Sequence, residues 1–90
     1  MPYIKQSIRN KLDPFIDELI YCLVGYDKYV EPGTLNYVLT RILSRTLSDH
    51  PSYGELSSIV GVLETMKLEF QRRIVSPYED KKILENGDVY

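Results

Sequence analysis

Five prolines, at positions 2, 14, 32, 51 and 77, partition this chain of 90 residues more firmly than any other feature. Proline has no backbone N–H, and its ring clashes with the carbonyl four residues back. It therefore belongs in the first turn of a helix or outside one. Asp13-Pro14, Glu31-Pro32-Gly33, Ser48-Asp49-His50-Pro51 and Ser76-Pro77 read accordingly as helix starts or breaks, and the runs between them carry helical spacing.

Ile4, Ile8 and Leu12 lie four apart and predict a short amphipathic helix over residues 4–12. Asp13 then reads as an N-cap and Pro14 as the first helical residue, with Asp17 and Glu18 near the positive end of the helix dipole. Phe15, Ile16, Leu19, Ile20, Leu23 and Val24 form the core-facing stripe of this second stretch. Gly25 is a stop, although residues 26–30 could prolong the helix. Thr34 is positioned to cap the next one, whose apolar residues are Leu35, Val38, Leu39, Ile42, Leu43 and Leu47. Its opposite face carries Asn36, Thr40, Arg41, Ser44 and Arg45.

Ser52-Tyr53-Gly54-Glu55 matches a capping box and opens the longest helix. Along it Leu56, Ile59, Leu63, Met66 and Phe70 alternate steps of three and four, a short heptad-like seam flanked by Val60, Lys67 and Ile74. Gly61, in mid-helix, costs about 1 kcal/mol relative to alanine and predicts a close approach by another helix. Ser76-Pro77-Tyr78-Glu79 repeats the capping pattern. It predicts a separate short helix over residues 77–85, stopped by Asn86-Gly87. No strand pattern competes. The expected fold is all-α: one domain over residues 1–90, a compact bundle of three main helices plus a short C-terminal helix, in a homo-oligomer.

Composition narrows the function. A domain this small buries only about 60–65% of its unfolded surface. Cys22 is the sole cysteine and has no intramolecular partner, which points to a reducing compartment and to oligomerisation as the route to a larger core. The net charge of −2 mixes both signs without a basic run, giving no general field for nucleic acid. No stretch is long and apolar enough for a membrane span, and Met1-Pro2-Tyr3-Ile4-Lys5 is no signal sequence; a soluble intracellular protein is expected. Eight tyrosines and no tryptophan suit half-buried sites and interfaces.

The opening Met1-Pro2-Tyr3-Ile4, the segment Leu35-Asn36-Tyr37, the run Ile59-Val60-Gly61-Val62-Leu63-Glu64 and the segment Leu68-Glu69-Phe70-Gln71-Arg72-Arg73 resemble a family of small proteins from tailed bacteriophages. The ending, Pro77-Tyr78-Glu79-Asp80 through Glu85-Asn86-Gly87-Asp88-Val89-Tyr90, is the most specific part of that resemblance. It covers nearly the whole chain, with residues 25–33 as a local elaboration. That family's function is unknown. The resemblance implies a setting, the cytoplasm of a phage-infected bacterium, and supplies no catalytic or binding residues.

Catalysis has little to build on. His50 is the only histidine, and neither Asp49 nor Cys22 provides the positioned partner that acid–base or nucleophilic chemistry needs. No metal-ligand spacing, phosphate loop or dinucleotide fingerprint occurs, so neither a metal nor a cofactor is expected and the chain reads as a non-enzyme. Binding is better supported. Arg72 and Arg73 precede the predicted helix start at Ser76-Pro77, where free N–H groups and guanidinium forks suit phosphate. Tyr78 could stack on a base, and Asn36, Tyr37 and Arg41 could form a second wall. Local pairing of Arg72 and Arg73 with Glu69 and the tail acids is the structural alternative.

Val89 and Tyr90 either pack onto their own body or reach a neighbouring subunit, and Leu56, Ile59, Leu63, Met66 and Phe70 would form the symmetric contact. The resulting expectation is a homo-oligomeric accessory protein sequestering a small phosphorylated, nucleotide-derived immune signal of the host. The alternatives are a protein–protein inhibitor of a host defence enzyme and a virion accessory protein.

Overall fold

The computed structural model describes residues 2–25 and 28–90, and among these the fold is all-α. Helix α1 spans Gln6–Val24, α2 spans Pro32–Arg45 and α3 spans Tyr53–Phe70. A π-helical turn, Gln71–Val75, leads directly into α4, Ser76–Asn86. The chain divides into two compact units, Tyr3–Ser52 with α1 and α2, and a second comprising Pro2 and Tyr53–Tyr90.

In the first unit, Asp13-Pro14 does not start a helix. Helix α1 runs through Pro14 without a break, with Lys5 at its N-cap. The apolar phase explains this: Ile8, Leu12, Ile16, Leu19 and Leu23 keep one helical stripe across the proline. Continuity of that stripe outweighs a penalty of about 3 kcal/mol for interior proline. Near the N-terminus, Arg9 Nε donates to the Ile4 carbonyl at 2.8 Å and Gln6 Nε2 donates to Asn10 Oδ1 at 2.8 Å. Gly25 ends the helix as expected, at φ +52°, with its N–H on the Tyr21 carbonyl. Of the possible extension through residues 26–30, Tyr26 and Asp27 lie outside the described residues. Beyond them Lys28 takes a positive φ of 53° and donates to the Val24 carbonyl.

Helix α2 begins two residues before the expected Thr34 cap. Glu31 is its N-cap and Pro32 its first residue, the position where a missing N–H is harmless. It ends at Arg45, so Leu47 falls in the connection to α3.

In the second unit, α3 begins at Tyr53, which puts Ser52 at the N-cap and Glu55 at the third position, as the capping box predicts. The expected restart at Ser76-Pro77 does not occur. Ser76 is itself helical (φ −60°, ψ −46°), Val75 makes no side-chain cap, and the Ser76 N–H donates to the Gln71 carbonyl five residues back. The C-terminal helix is thus a continuation of α3. Stretches of 18, 5 and 11 residues follow without a break, about 50 Å at the usual rise. The π turn reconciles the proline with that continuity. Pro77 would press on the Arg73 carbonyl in a regular helix, and the turn just before it is the widened one. Asn86-Gly87 ends the helix as expected: Gly87 sits at φ +91°, ψ 150° and donates to the Ile83 carbonyl at 2.8 Å.

Candidate functional site

The candidate residues fall into two sets, one in each unit. Asn36, Tyr37 and Arg41 belong to α2, where all three are exposed. Arg41 Nη1 donates to the Tyr37 hydroxyl at 2.9 Å, and Asn36 Oδ1 accepts from Thr40 Oγ1 at 3.2 Å. Both are contacts one helical turn apart, made within the helix. This face of α2 is a hydrogen-bonded polar surface that needs no ligand to satisfy it.

Arg72, Arg73 and Tyr78 belong to the continuous helix of the second unit. Arg72 pairs with Glu69 one turn earlier, as the structural alternative predicted. Tyr78 lies under the Lys82 ammonium, 5.5 Å from the ring centroid, and Lys82 in turn reaches Glu85 at 3.1 Å. The feature that recommended this set as a phosphate site was a helix N-terminus, and that is absent. Passing through Ser76 in helical geometry consumes the N–H groups that a fresh helix start would leave free. What remains is a pair of adjacent guanidinium groups, one of them held by a carboxylate.

Helix α3 presents two different faces. On one, Ser58 Oγ donates to the Gly54 carbonyl at 2.8 Å, and Thr65 Oγ1 donates to the carbonyls of Gly61 and Val62 at 3.0 Å. These hydroxyls are satisfied by their own helix. Gly61 lies on this side, and among the described residues a Cβ built there meets nothing within 4 Å. The other face is the seam. Leu56, Leu63, Met66 and Phe70 are 43%, 41%, 50% and 61% exposed, and Ile59 is half-buried.

The π turn extends that seam, a feature that sequence reasoning missed. In an α-helix, seven residues bring the chain back to the same face; a turn holding one extra residue makes the step eight. From Phe70 that step lands on Tyr78 instead of Pro77, with Ile74 between them, while Arg73 is turned off the seam. A signal was available: Phe70, Ile74 and Tyr78 are apolar or aromatic at steps of four, with a proline just before the last.

No described residue is buried, polar or apolar. The stripe of α1 shares this exposure, with Phe15 at 75%. At the C-terminus, Val89 is 92% exposed and Tyr90 fully so, and the Tyr90 N–H donates to Asp88 Oδ1 at 2.9 Å. Val89 and Tyr90 line a shallow groove together with Glu79, Lys82 and Ile83 of α4. Cys22 is an exposed free thiol. Among the described residues no three His, Cys, Asp or Glu side chains cluster as metal ligands, and no helix is long and apolar enough to cross a membrane.

Residues 1–89 match the model of a family described as a domain of unknown function, DUF6899, and the chain belongs to that family. No curated protein and no solved structure matches it.

Proposed function

We propose that this chain is a non-enzymatic, homo-oligomeric binding protein that acts by occupying the surface of another protein. The observation that carries the reading is that the apolar helical stripes keep exposed residues, Phe15 on α1 and Leu56, Leu63, Met66 and Phe70 on α3 among them, since surfaces of this kind mark sites where a further chain docks. Tyrosines at the edges of those stripes, Tyr21 and Tyr78 among them, supply the amphipathic contact area common at interfaces. The resemblance to small phage proteins supports an infected bacterial cytoplasm as the setting, with a host defence enzyme as the target to be inhibited.

Sequestration of a small phosphorylated immune signal is the second reading. It is favoured by one observation: Arg72 lies off the seam and the π turn carries Arg73 off it as well, so an oligomer built on the seam leaves both guanidinium groups at the surface. Such a site would need groups from more than one copy, because the helix N-terminus is missing.

Native mass spectrometry of protein isolated from phage-challenged cells separates the two. A stoichiometric host protein supports inhibition. An oligomer carrying a few hundred daltons per site, lost when Arg72 and Arg73 are both replaced by alanine, supports sequestration and refutes inhibition as the primary role. A bare monomer refutes both.

A further inference from the structure

Resting on the homo-oligomeric reading, we propose that the seam of α3 and the π turn is covered by the same seam of a second copy, running antiparallel. Three features point to this occupant. The first is exposure. Leu56, Leu63, Met66, Phe70 and Ile74 are 41–61% exposed along one continuous face, and an apolar strip of this length is the kind of surface that another chain covers.

The second is register. The seam Leu56, Ile59, Leu63, Met66, Phe70 and Ile74 steps by three or four residues and, once the extra residue of the π turn is discounted, reads the same way from both ends about a point between Glu64 and Thr65. Set antiparallel about that point, Leu63 meets Met66 of the second copy, Ile59 meets Phe70, and Leu56 meets Ile74. Each contact then recurs by two-fold symmetry, and every layer is apolar on both sides. The π turn is required for the outermost layer. In an uninterrupted α-helix, Arg73 would occupy the position that Ile74 takes, and Leu56 would face a guanidinium.

The third is charge. Over the stretch that overlaps in this pairing, residues 53–64 carry Glu55 and Glu64, and residues 65–76 carry Lys67, Arg72 and Arg73 against Glu69. Antiparallel pairing sets the acidic half of each copy beside the basic half of the other. Parallel pairing sets like halves together and gains nothing from this asymmetry.

Spin labels placed singly at Tyr53→Cys, Thr65→Cys and Asp80→Cys, in a Cys22→Ser background, test the arrangement by pulsed electron resonance. These positions are exposed, so the labels should leave the helices intact, which circular dichroism verifies. Antiparallel pairing predicts almost no axial offset at Thr65, whose labels, on the outer sides of the pair, are separated by the helix spacing of about 10 Å plus the helix radii and label arms. It predicts axial separations of about 35 Å at Tyr53 and about 43 Å at Asp80. Short distances at all three positions mean parallel helices and overturn the proposal. An oligomer with a long distance at Thr65 overturns it too, while leaving the homo-oligomeric reading intact. A monomer by sedimentation equilibrium overturns both, and hands the seam to a different partner.

Discussion

The backbone N–H of Ser76 donates to the carbonyl of Gln71, five residues back, at the point where the sequence carries every sign of a helix start. Serine, proline and a glutamate three residues on from the serine are cap signals at a true N-terminus, yet a helix already in progress reaches them first. The widened turn lets the helix pass Pro77 and carries the apolar seam on to Tyr78.

Replacing Pro77 by alanine restores an N–H and removes the ring that forces the turn open. The π turn should close into α-helix, raising amide protection over residues 71–76. The same change rotates α4 by about one residue, or 100°, relative to the seam and so moves Ile74 and Tyr78 off it. Self-association should weaken by about tenfold although the helix itself is stronger. Hydrogen exchange and sedimentation check the two halves of this outcome; tighter association with a closed turn would show that the π turn does not set the interface.

Pro14 offers the opposite experiment. It lies inside α1, where proline is unfavourable by about 3 kcal/mol relative to alanine. Pro14→Ala should stabilise the protein by about 1–3 kcal/mol in chemical denaturation, with little effect on assembly. Had Asp13-Pro14 been a cap and first turn, the same substitution would be neutral or destabilising.

The fold class was legible because apolar spacing of three and four persists in every segment, and the helix stops at Gly25 and Gly87 were legible because each requires a backbone conformation with positive φ. Two starts were misread for one reason. Cap residues and prolines are local signals, whereas Leu12 to Ile16 and Phe70 to Tyr78 carry a phase that continues past them. Where local and periodic signals conflict, the apolar face decides. The candidate binding site depended on the false start at Ser76, so its principal support went with it. The intrahelical partners of Arg72 and Arg41 were more readily foreseen, since Glu69 and Tyr37 stand three and four residues away.

Gly61 tests which face of α3 is used. It is helical, with open space where a Cβ would be. Gly61→Ala should therefore stabilise the helix by about 1 kcal/mol. Thermal unfolding at fixed protein concentration measures this. Sedimentation of the same variant should show unchanged assembly, since Gly61 is on the face away from the seam; a loss of association would relocate the contact to the side of Gly54, Gly61 and Thr65.

Arg72, 66% exposed, pairs with a Glu69 that is 30% exposed, and exposed pairs contribute about 0–1 kcal/mol. Arg72→Ala should lower stability by about that much, as read by denaturant titration. A much larger loss would mean that pairing with Glu69 is not the main contribution of the guanidinium.

The account rests most heavily on the seam, and one comparison by sedimentation equilibrium addresses it directly. Leu63 lies on the seam at 41% exposure, and Leu84, on α4, lies off it at 86%. In an isolated chain neither is buried, so an aspartate at either position would be tolerated alike. Covering of the seam by a second copy predicts that the wild-type protein and Leu84→Asp sediment as the same oligomer, while Leu63→Asp sediments as a monomer. A wild-type monomer, or an oligomer that survives Leu63→Asp, would contradict it.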